Sequence, residues 1–344
     1  MTRLAALILA LLLAACAGEG TSHLAAPAAI GNAVSPGGPP SPPQLSDKVL
    51  VTADGARLPL RSWLPAGRPK AVILALHGFN DYSNAFAAPA TSWAADGIAT
   101  YAYDQRGFGE APLRGRWAGT WQLADDVTTA SRLLRRRYPN VPLYLLGESM
   151  GGAVAISAVT GAAGAPKPDI DGIVLAAPAV WGRSTMTVFE RVALWTGDQL
   201  VPDMTLTGRG LHITPSDNID MLRQLSRDPL VIKETRVDSI KGLVDLMDTA
   251  LGAAPNVEVP MLFLYGDRDE IVPRQPTELW VDRLPADERP ARKLAWYANG
   301  YHMLLRDLEG PVVWRDIECW VADHHAPLPS GADRRASDVL FAGH

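Results

Sequence analysis

Apolar and polar positions alternate along the chain in two rhythms. Short apolar runs at residues 48–51, 58–63, 71–76, 98–103, 143–146, 173–176, 261–265 and 293–296 predict strands. The middle runs are apolar throughout, as strands covered on both faces should be. Ala53-Asp54-Gly55, between the first two runs, predicts a hairpin turn. Helical stripes lie between several of the others; residues 121–137, for example, align Leu123, Val127, Ala130 and Leu134 on one face. Alternation of this kind predicts a mostly parallel central sheet flanked by helices.

Two intervals break the rhythm. From residue 183 to about 255 no strand pattern stands out, while Phe189, Val192, Ala193 and Trp195 suit one amphipathic helix and Leu243, Leu246, Met247 and Leu251 another. An insertion of this kind between two strands predicts a helical cap over the sheet. At the N-terminus, Arg3 precedes an unbroken apolar run over 4–15, which has signal-peptide length and is too short to span a bilayer. Residues 17–46 are rich in Ala, Gly, Pro and Ser, a composition that predicts a disordered tether. Residues 327–344 read as a polar tail, which leaves 47–326 as the folded domain.

Composition narrows the function classes. With 344 residues, 47% hydrophobic and 20% charged, the chain fits one large α/β domain carrying an insertion. A net charge of −5 argues against a nucleic-acid partner. Asp125-Asp126 and Arg135-Arg136-Arg137 sit at opposite ends of one predicted helix, where they suit its dipole. No Cys/His cluster has the spacing of a metal site, and no cofactor is implied. Cys319 falls in a helical pattern with Val313, Ile317, Trp320 and Val321, as a small buried hydrophobe would.

The candidate chemistry centres on Leu146-Gly147-Glu148-Ser149-Met150-Gly151-Gly152. A serine at a sharp strand-to-helix turn needs small neighbours on both sides, and the small residues Gly152, Ala153, Ala155 and Ser157 let the next helix pack closely. A hydroxyl becomes a useful nucleophile only when a base takes its proton. Of the seven histidines, His302 follows the last predicted strand within Ala298-Asn299-Gly300-Tyr301-His302-Met303-Leu304. A carboxylate should orient that base, and both Asp267 and Asp269 follow the penultimate strand. The oxyanion needs N–H donors, for which Met150 and Phe79 are the candidates, the latter from the loop His77-Gly78-Phe79-Asn80-Asp81. His77 reads as a loop-ordering residue.

Two resemblances add to this reading. Leu13-Ala14-Ala15-Cys16 resembles the lipobox of bacterial lipoproteins, which implies a diacylglyceryl group on Cys16 and a lipid-anchored place in the bacterial cell envelope. Ala17, where an Asp would imply inner-membrane retention, points to the outer membrane. Over roughly 49–323 the chain resembles the α/β-hydrolase superfamily. The motifs are His77-Gly78-Phe79, Asp104-Gln105-Arg106-Gly107-Phe108-Gly109, Gly147-Glu148-Ser149-Met150-Gly151, Gly266-Asp267-Arg268-Asp269 and Tyr301-His302. Within it the chain looks closest to the monoacylglycerol lipase and lysophospholipase group, which is related to the serine aminopeptidases.

That resemblance implies the α/β-hydrolase fold with a helical cap and a Ser149, Asp269, His302 triad. It favours Asp269 through the Gly-x-x-Asp spacing before Ile271-Val272-Pro273. The implied reaction is hydrolysis of single-chain lipid esters through an acyl-Ser149 intermediate, with Phe79, Trp181 and Phe189 as candidate walls of an acyl channel. A serine aminopeptidase, a short-chain carboxylesterase and a non-catalytic lipid-anchored binding protein remain as alternatives. An aminopeptidase would aim acidic cap residues such as Glu190, Asp198 or Asp245 at a free amine. The 104–109 turn is read as structural, its glycines shaping the backbone and its arginine holding loops.

Overall fold

Every predicted apolar run is a strand in the computed structural model, which describes residues 42–208, 210–285 and 291–341. The chain opens with β1 (Gln44–Leu45), β2 (Val49–Val51) and β3 (Arg57–Trp63), then β4 (Ala71–Leu76), α1 (Ala87–Ala95), β5 (Ile98–Tyr103) and α2 (Thr120–Arg137). Next come β6 (Leu143–Glu148), α3 (Met150–Thr160) and β7 (Gly172–Ala176). An inserted segment carries α4 (Val188–Leu200), β8 (Thr205–Thr207), α5 (Ile219–Arg227), β9 (Glu234–Arg236) and α6 (Val237–Gly252). The last elements are β10 (Met261–Gly266), α7 (Arg274–Asp282), β11 (Arg292–Tyr297), α8 (Gly310–Ala322) and α9 (Ala332–Phe341).

The main sheet runs in the order β1-β2-β3-β5-β4-β6-β7-β10-β11. Its first three pairings are antiparallel, and every pairing from β5 to β11 is parallel. Successive side chains feed opposite layers. Val72, Leu74 and Leu76 join the layer of α2, α3 and α6, while Ala71, Ile73 and Ala75 join that of α1 and α8. Burial on both faces explains why β4, β6 and β10 contain no exposed position. The parallel strands end on one side, where β4, β6, β10 and β11 release the loops that carry the candidate residues, as open α/β sheets place their ligand sites.

Several boundaries differ from expectation. The sheet begins inside the segment read as tether, because Gln44 and Leu45 pair with Val51 and Leu50 at its edge. Residues 327–344 are not simply a polar tail. Within them α9 packs on β11, burying Ala332 and Ala336, and Leu328 just before it is buried as well. Small residues four apart are enough to seat a helix there, which a search for large apolar residues overlooks. The inserted segment contains an antiparallel ribbon of β8 and β9, whose Thr-Leu-Thr and Glu-Thr-Arg strands carry no apolar run.

The helix α4 is turned differently from its expected stripe. Glu190, Ala193 and Leu194 face inward, whereas Phe189, Val192 and Trp195 are exposed. A capping box fixes that rotation: Glu190 Oε2 accepts from Thr187 N at 2.7 Å, and Thr187 Oγ1 accepts from Glu190 N at 3.3 Å. On α6, by contrast, Leu246 and Leu251 are buried in the main core and tie the insertion to it.

Asp126 is wholly buried and bonded to Arg106, so it is a structural anchor rather than a dipole charge. Cys319 is only half-buried, its Sγ turned toward Pro327 O, while Val313, Ile317, Trp320 and Val321 are buried as expected. Cys16, the apolar run before it and the tether as far as residue 41 lie outside the described residues. Among the described residues no helix is long and apolar enough to cross a membrane.

Candidate active site

The turn after β6 is shaped by close backbone approach. Ser149 has φ 54° and ψ −116°, an unfavourable conformation for a residue with a Cβ, and it opens α3 without using its hydroxyl as a cap. A Cβ on Gly147 would lie 2.4 Å from Gly151 O, and one on Gly151 would lie 2.0 Å from Leu76 O. The two glycines are therefore required by space. The strained residue is locked by neighbours: its N–H donates to Ala176 O at 3.0 Å, and its carbonyl accepts from Ala179 N at 2.9 Å.

The structure brings His302 and Asp269 together. His302 Nδ1 lies 2.8 Å from Asp269 Oδ2, and the aspartate side chain is fully buried. The other carboxylate oxygen accepts the N–H groups of Ile271 and Val272 at 2.8 and 2.9 Å, so its orientation is set by backbone. A proton on Nδ1 donated to Asp269 leaves Nε2 as the basic nitrogen. Burial pulls the His302 pKa down, but the charge and hydrogen bond of Asp269, aided by Glu148, raise it above its ordinary value. Asp267 is occupied elsewhere, accepting from Trp296 Nε1 at 2.5 Å and pairing with Arg335.

On the opposite side, the loop after β4 comes close to the serine. A Cβ on Gly78 would sit 3.4 Å from Ser149 Cβ. His77 orders this loop: its Nδ1 donates to Gly78 O at 2.8 Å and its Nε2 accepts from Gln105 N at 2.9 Å. Burial lowers its pKa, in keeping with that neutral tautomer. Phe79 faces the cavity beside Ser149. Met150 begins α3, so its amide is one of those for which a helix supplies no acceptor. These are the two candidate oxyanion donors.

Ser149 and His302 lie in the wall of a cavity of about 500 Å³. Its apolar lining includes Trp181 and Met186 together with Ile240, Leu243 and Met247 of α6. Phe189, expected in that lining, is 75% exposed on the outer face of α4 and takes no part in it. Glu270, next to Asp269, lines the cavity too, and three further charged residues that the sequence reading did not single out face it: Asp81, Glu148 and Arg306. Their signal was present, since Glu148 interrupts an apolar strand end and the other two lie within a few residues of Phe79 and His302. Among the described residues no group of His, Cys, Asp and Glu could hold a metal ion.

The candidate acidic residues for amine recognition are placed elsewhere. Glu190 caps α4, Asp245 pairs with Arg183 and Lys241, and neither these nor Asp198 lines the cavity. The arrangement thus offers a serine hydroxyl, a buried imidazole–carboxylate pair, two amides and an apolar chamber. That set suits acyl transfer from an ester to water.

Residues 67–309 match a family model, Hydrolase_4, described as serine aminopeptidase S33. The chain is 26% identical over 293 residues to a monoacylglycerol lipase of Mycolicibacterium smegmatis, covering 81% of this chain and 98% of that protein. It is 27% identical to a human monoglyceride lipase, over 80% of this chain and 90% of that one. Among solved structures, a soluble variant of the Saccharomyces cerevisiae monoglyceride lipase in complex with a substrate analog superposes with a TM-score of 0.65. There the identity is 17%, covering 83% of this chain and 97% of that chain.

Proposed function

The chain belongs to the Hydrolase_4 family of serine aminopeptidase S33 type, and from that premise we propose that it hydrolyses carboxylic esters of single-chain lipids, of monoacylglycerol or lysophospholipid type. The carrying observation is the apolar chamber of about 500 Å³ with Ser149 and His302 in its wall. Its size suits a lipid-sized ligand, and its walls suit an acyl chain.

In this reading His302 Nε2 takes the proton of Ser149 Oγ as that oxygen attacks the ester carbonyl. The N–H groups of Phe79 and Met150 receive the oxyanion, and Asp269 stabilises the imidazolium as it forms. Collapse of the tetrahedral intermediate breaks the bond to the alcohol oxygen, which leaves with the proton from His302. Water, deprotonated by the same nitrogen, then attacks acyl-Ser149; the acyl–Oγ bond breaks, the fatty acid leaves, and Ser149 Oγ takes back the proton from His302. The monoglyceride lipase relatives support the ester over the amide, as does the engagement of Glu190 and Asp245 in other contacts.

Monoacylglycerols of increasing chain length test this. Each buried methylene is worth ~0.8 kcal/mol, so kcat/KM is expected to rise by up to about fourfold per carbon until the chamber is filled, then level off. A rate that falls from the shortest chain onward would establish a small-ester enzyme instead. Turnover of aminoacyl amides without turnover of esters would establish the aminopeptidase.

We further propose that a lipid on Cys16 anchors the protein in the bacterial cell envelope, at the outer membrane. The apolar run before Leu13-Ala14-Ala15-Cys16, and Ala17 after it, support that placement. Cells fed labelled fatty acid are expected to label the wild-type protein and not Cys16→Ser. Label retained in the variant would place the modification elsewhere.

A further inference from the structure

One buried guanidinium touches two of the four loops that carry the proposed machinery and belongs to a third. Arg306 lies four residues after His302, and its Nη1 is 2.7 Å from Asp81 Oδ2, two residues beyond Phe79. Its Nη2 is 3.2 Å from Glu148 Oε2, the residue directly before Ser149. Arg306 and the two carboxylates are each less than a tenth exposed, and all three face the cavity. The backbone around Arg306 is itself held, its N–H donating to Met303 O at 2.7 Å, while Asp307 Oδ2 accepts from Tyr301 N at 2.8 Å.

Stability alone is a poor account of this cluster. Buried ion pairs roughly break even against apolar residues of the same volume, because desolvation offsets their attraction. This one is also incompletely satisfied: Glu148 Oε1 and Arg306 Nε are buried without a hydrogen-bond partner. An unsatisfied, charged arrangement beside a reacting centre is better explained by what it positions. We propose that Arg306 is a positioning residue that clamps the oxyanion loop and the nucleophile turn to the base loop, and that Glu148 and Arg306 together set the charge around His302.

The proposal rests on the hydrolase reading of Ser149 and His302. Its electrostatic consequence has a definite sign. The charged groups around His302 are Asp269 and Glu270 after β10, Glu148 at the end of β6, Asp81 after β4 and Arg306 on its own segment; Asp269 and Glu148 favour the imidazolium, and Arg306, itself paired with Asp81, opposes it. Burial pushes Glu148 toward its neutral form, and the charge of Arg306 counters that.

The experiment measures kcat and KM against pH for wild type, Glu148→Gln, Arg306→Met and Arg306→Lys, with folding checked by thermal melts. The acid limb of kcat/KM reports the free enzyme's base. In Glu148→Gln, a nearly isosteric change, the limb is expected to move to lower pH. In Arg306→Met it should move to higher pH, with kcat reduced about 10²-fold, the scale of a misplaced reacting geometry. Arg306→Lys should return the limb toward wild type while recovering only part of kcat, because an ammonium cannot reproduce the forked contact. Limbs that stay at the wild-type pH in both Glu148→Gln and Arg306→Met, or a loss confined to KM, would overturn the proposal while wild-type turnover still depends on Ser149. If Arg306→Met does not fold, Glu148→Gln decides the sign by itself. Wild-type turnover that does not depend on Ser149 would overturn the hydrolase reading and this proposal together.

Discussion

Ser149→Ala is expected to fold as the wild type does and to lose ester hydrolysis by at least about 10⁴-fold, the scale seen when an acyl-transfer nucleophile is removed. The fold should survive because the hydroxyl caps nothing; the backbone of Ser149, not its side chain, makes the bonds to Ala176 and Ala179. Alanine keeps the same Cβ at φ 54°, so the strain at the turn is unchanged. Activity should vanish because the remaining groups have no atom to acylate. Residual turnover would then come only from water activated by His302 beside the oxyanion donors. The check is a pair of measurements on one preparation, thermal unfolding and fatty-acid release from a monoacylglycerol. A variant that melts like wild type and hydrolyses at more than a few per cent of its rate would remove Ser149 from the mechanism.

What the sequence made legible follows from how each feature is encoded. β4, β6 and β10 are apolar at nearly every position because both faces are covered, so an unbroken run betrays them. The turn at Ser149 was readable because Gly147 and Gly151 answer to a backbone constraint that few residues satisfy. The residues alone leave Asp267 and Asp269 open and the family resemblance favours Asp269; the structure places Asp269 against His302 and Asp267 against Trp296 and Arg335.

The features that were missed are encoded by partners distant in sequence. Nothing local in Thr205–Thr207 or Glu234–Arg236 marks a ribbon; each strand exists by pairing with the other. The rotation of α4 depends on Thr187 and Glu190, two polar residues, so its apolar residues pointed to the wrong face. The seat of α9 uses alanines, and the Asp81–Glu148–Arg306 cluster joins three segments that only the folded chain brings together.

The second large effect concerns stability. Arg106→Met is expected to destabilise the fold by ~3–5 kcal/mol, the cost of leaving a buried charge without its partner. Arg106 Nε and Nη2 bond both oxygens of the wholly buried Asp126, at 2.7 and 2.9 Å. The same guanidinium also reaches Asp54 at 2.7 Å and Thr52 Oγ1 at 3.0 Å, joining α2 to the hairpin of β2 and β3. Most of the effect should come from Asp126, because Asp54 is half exposed and can return to water. For a chain of this size the loss corresponds to a drop in melting temperature of roughly 5–8 °C. Replacing both partners, Arg106→Met with Asp126→Leu, should recover much of it, since no charge is then buried alone. The loop also reaches the candidate site: Gln105 N and Nε2 bond His77 Nε2 and O, and His77 in turn bonds the carbonyl of Gly78. Arg106→Met should therefore slow hydrolysis at temperatures where the protein is still folded, whereas the double variant should restore stability more fully than rate. Equal melting temperatures for wild type and Arg106→Met would show that Asp126, whose pKa burial already raises to about 6, takes up a proton or finds another partner at little cost, and the turn at 104–109 would lose its role as the anchor of the oxyanion loop.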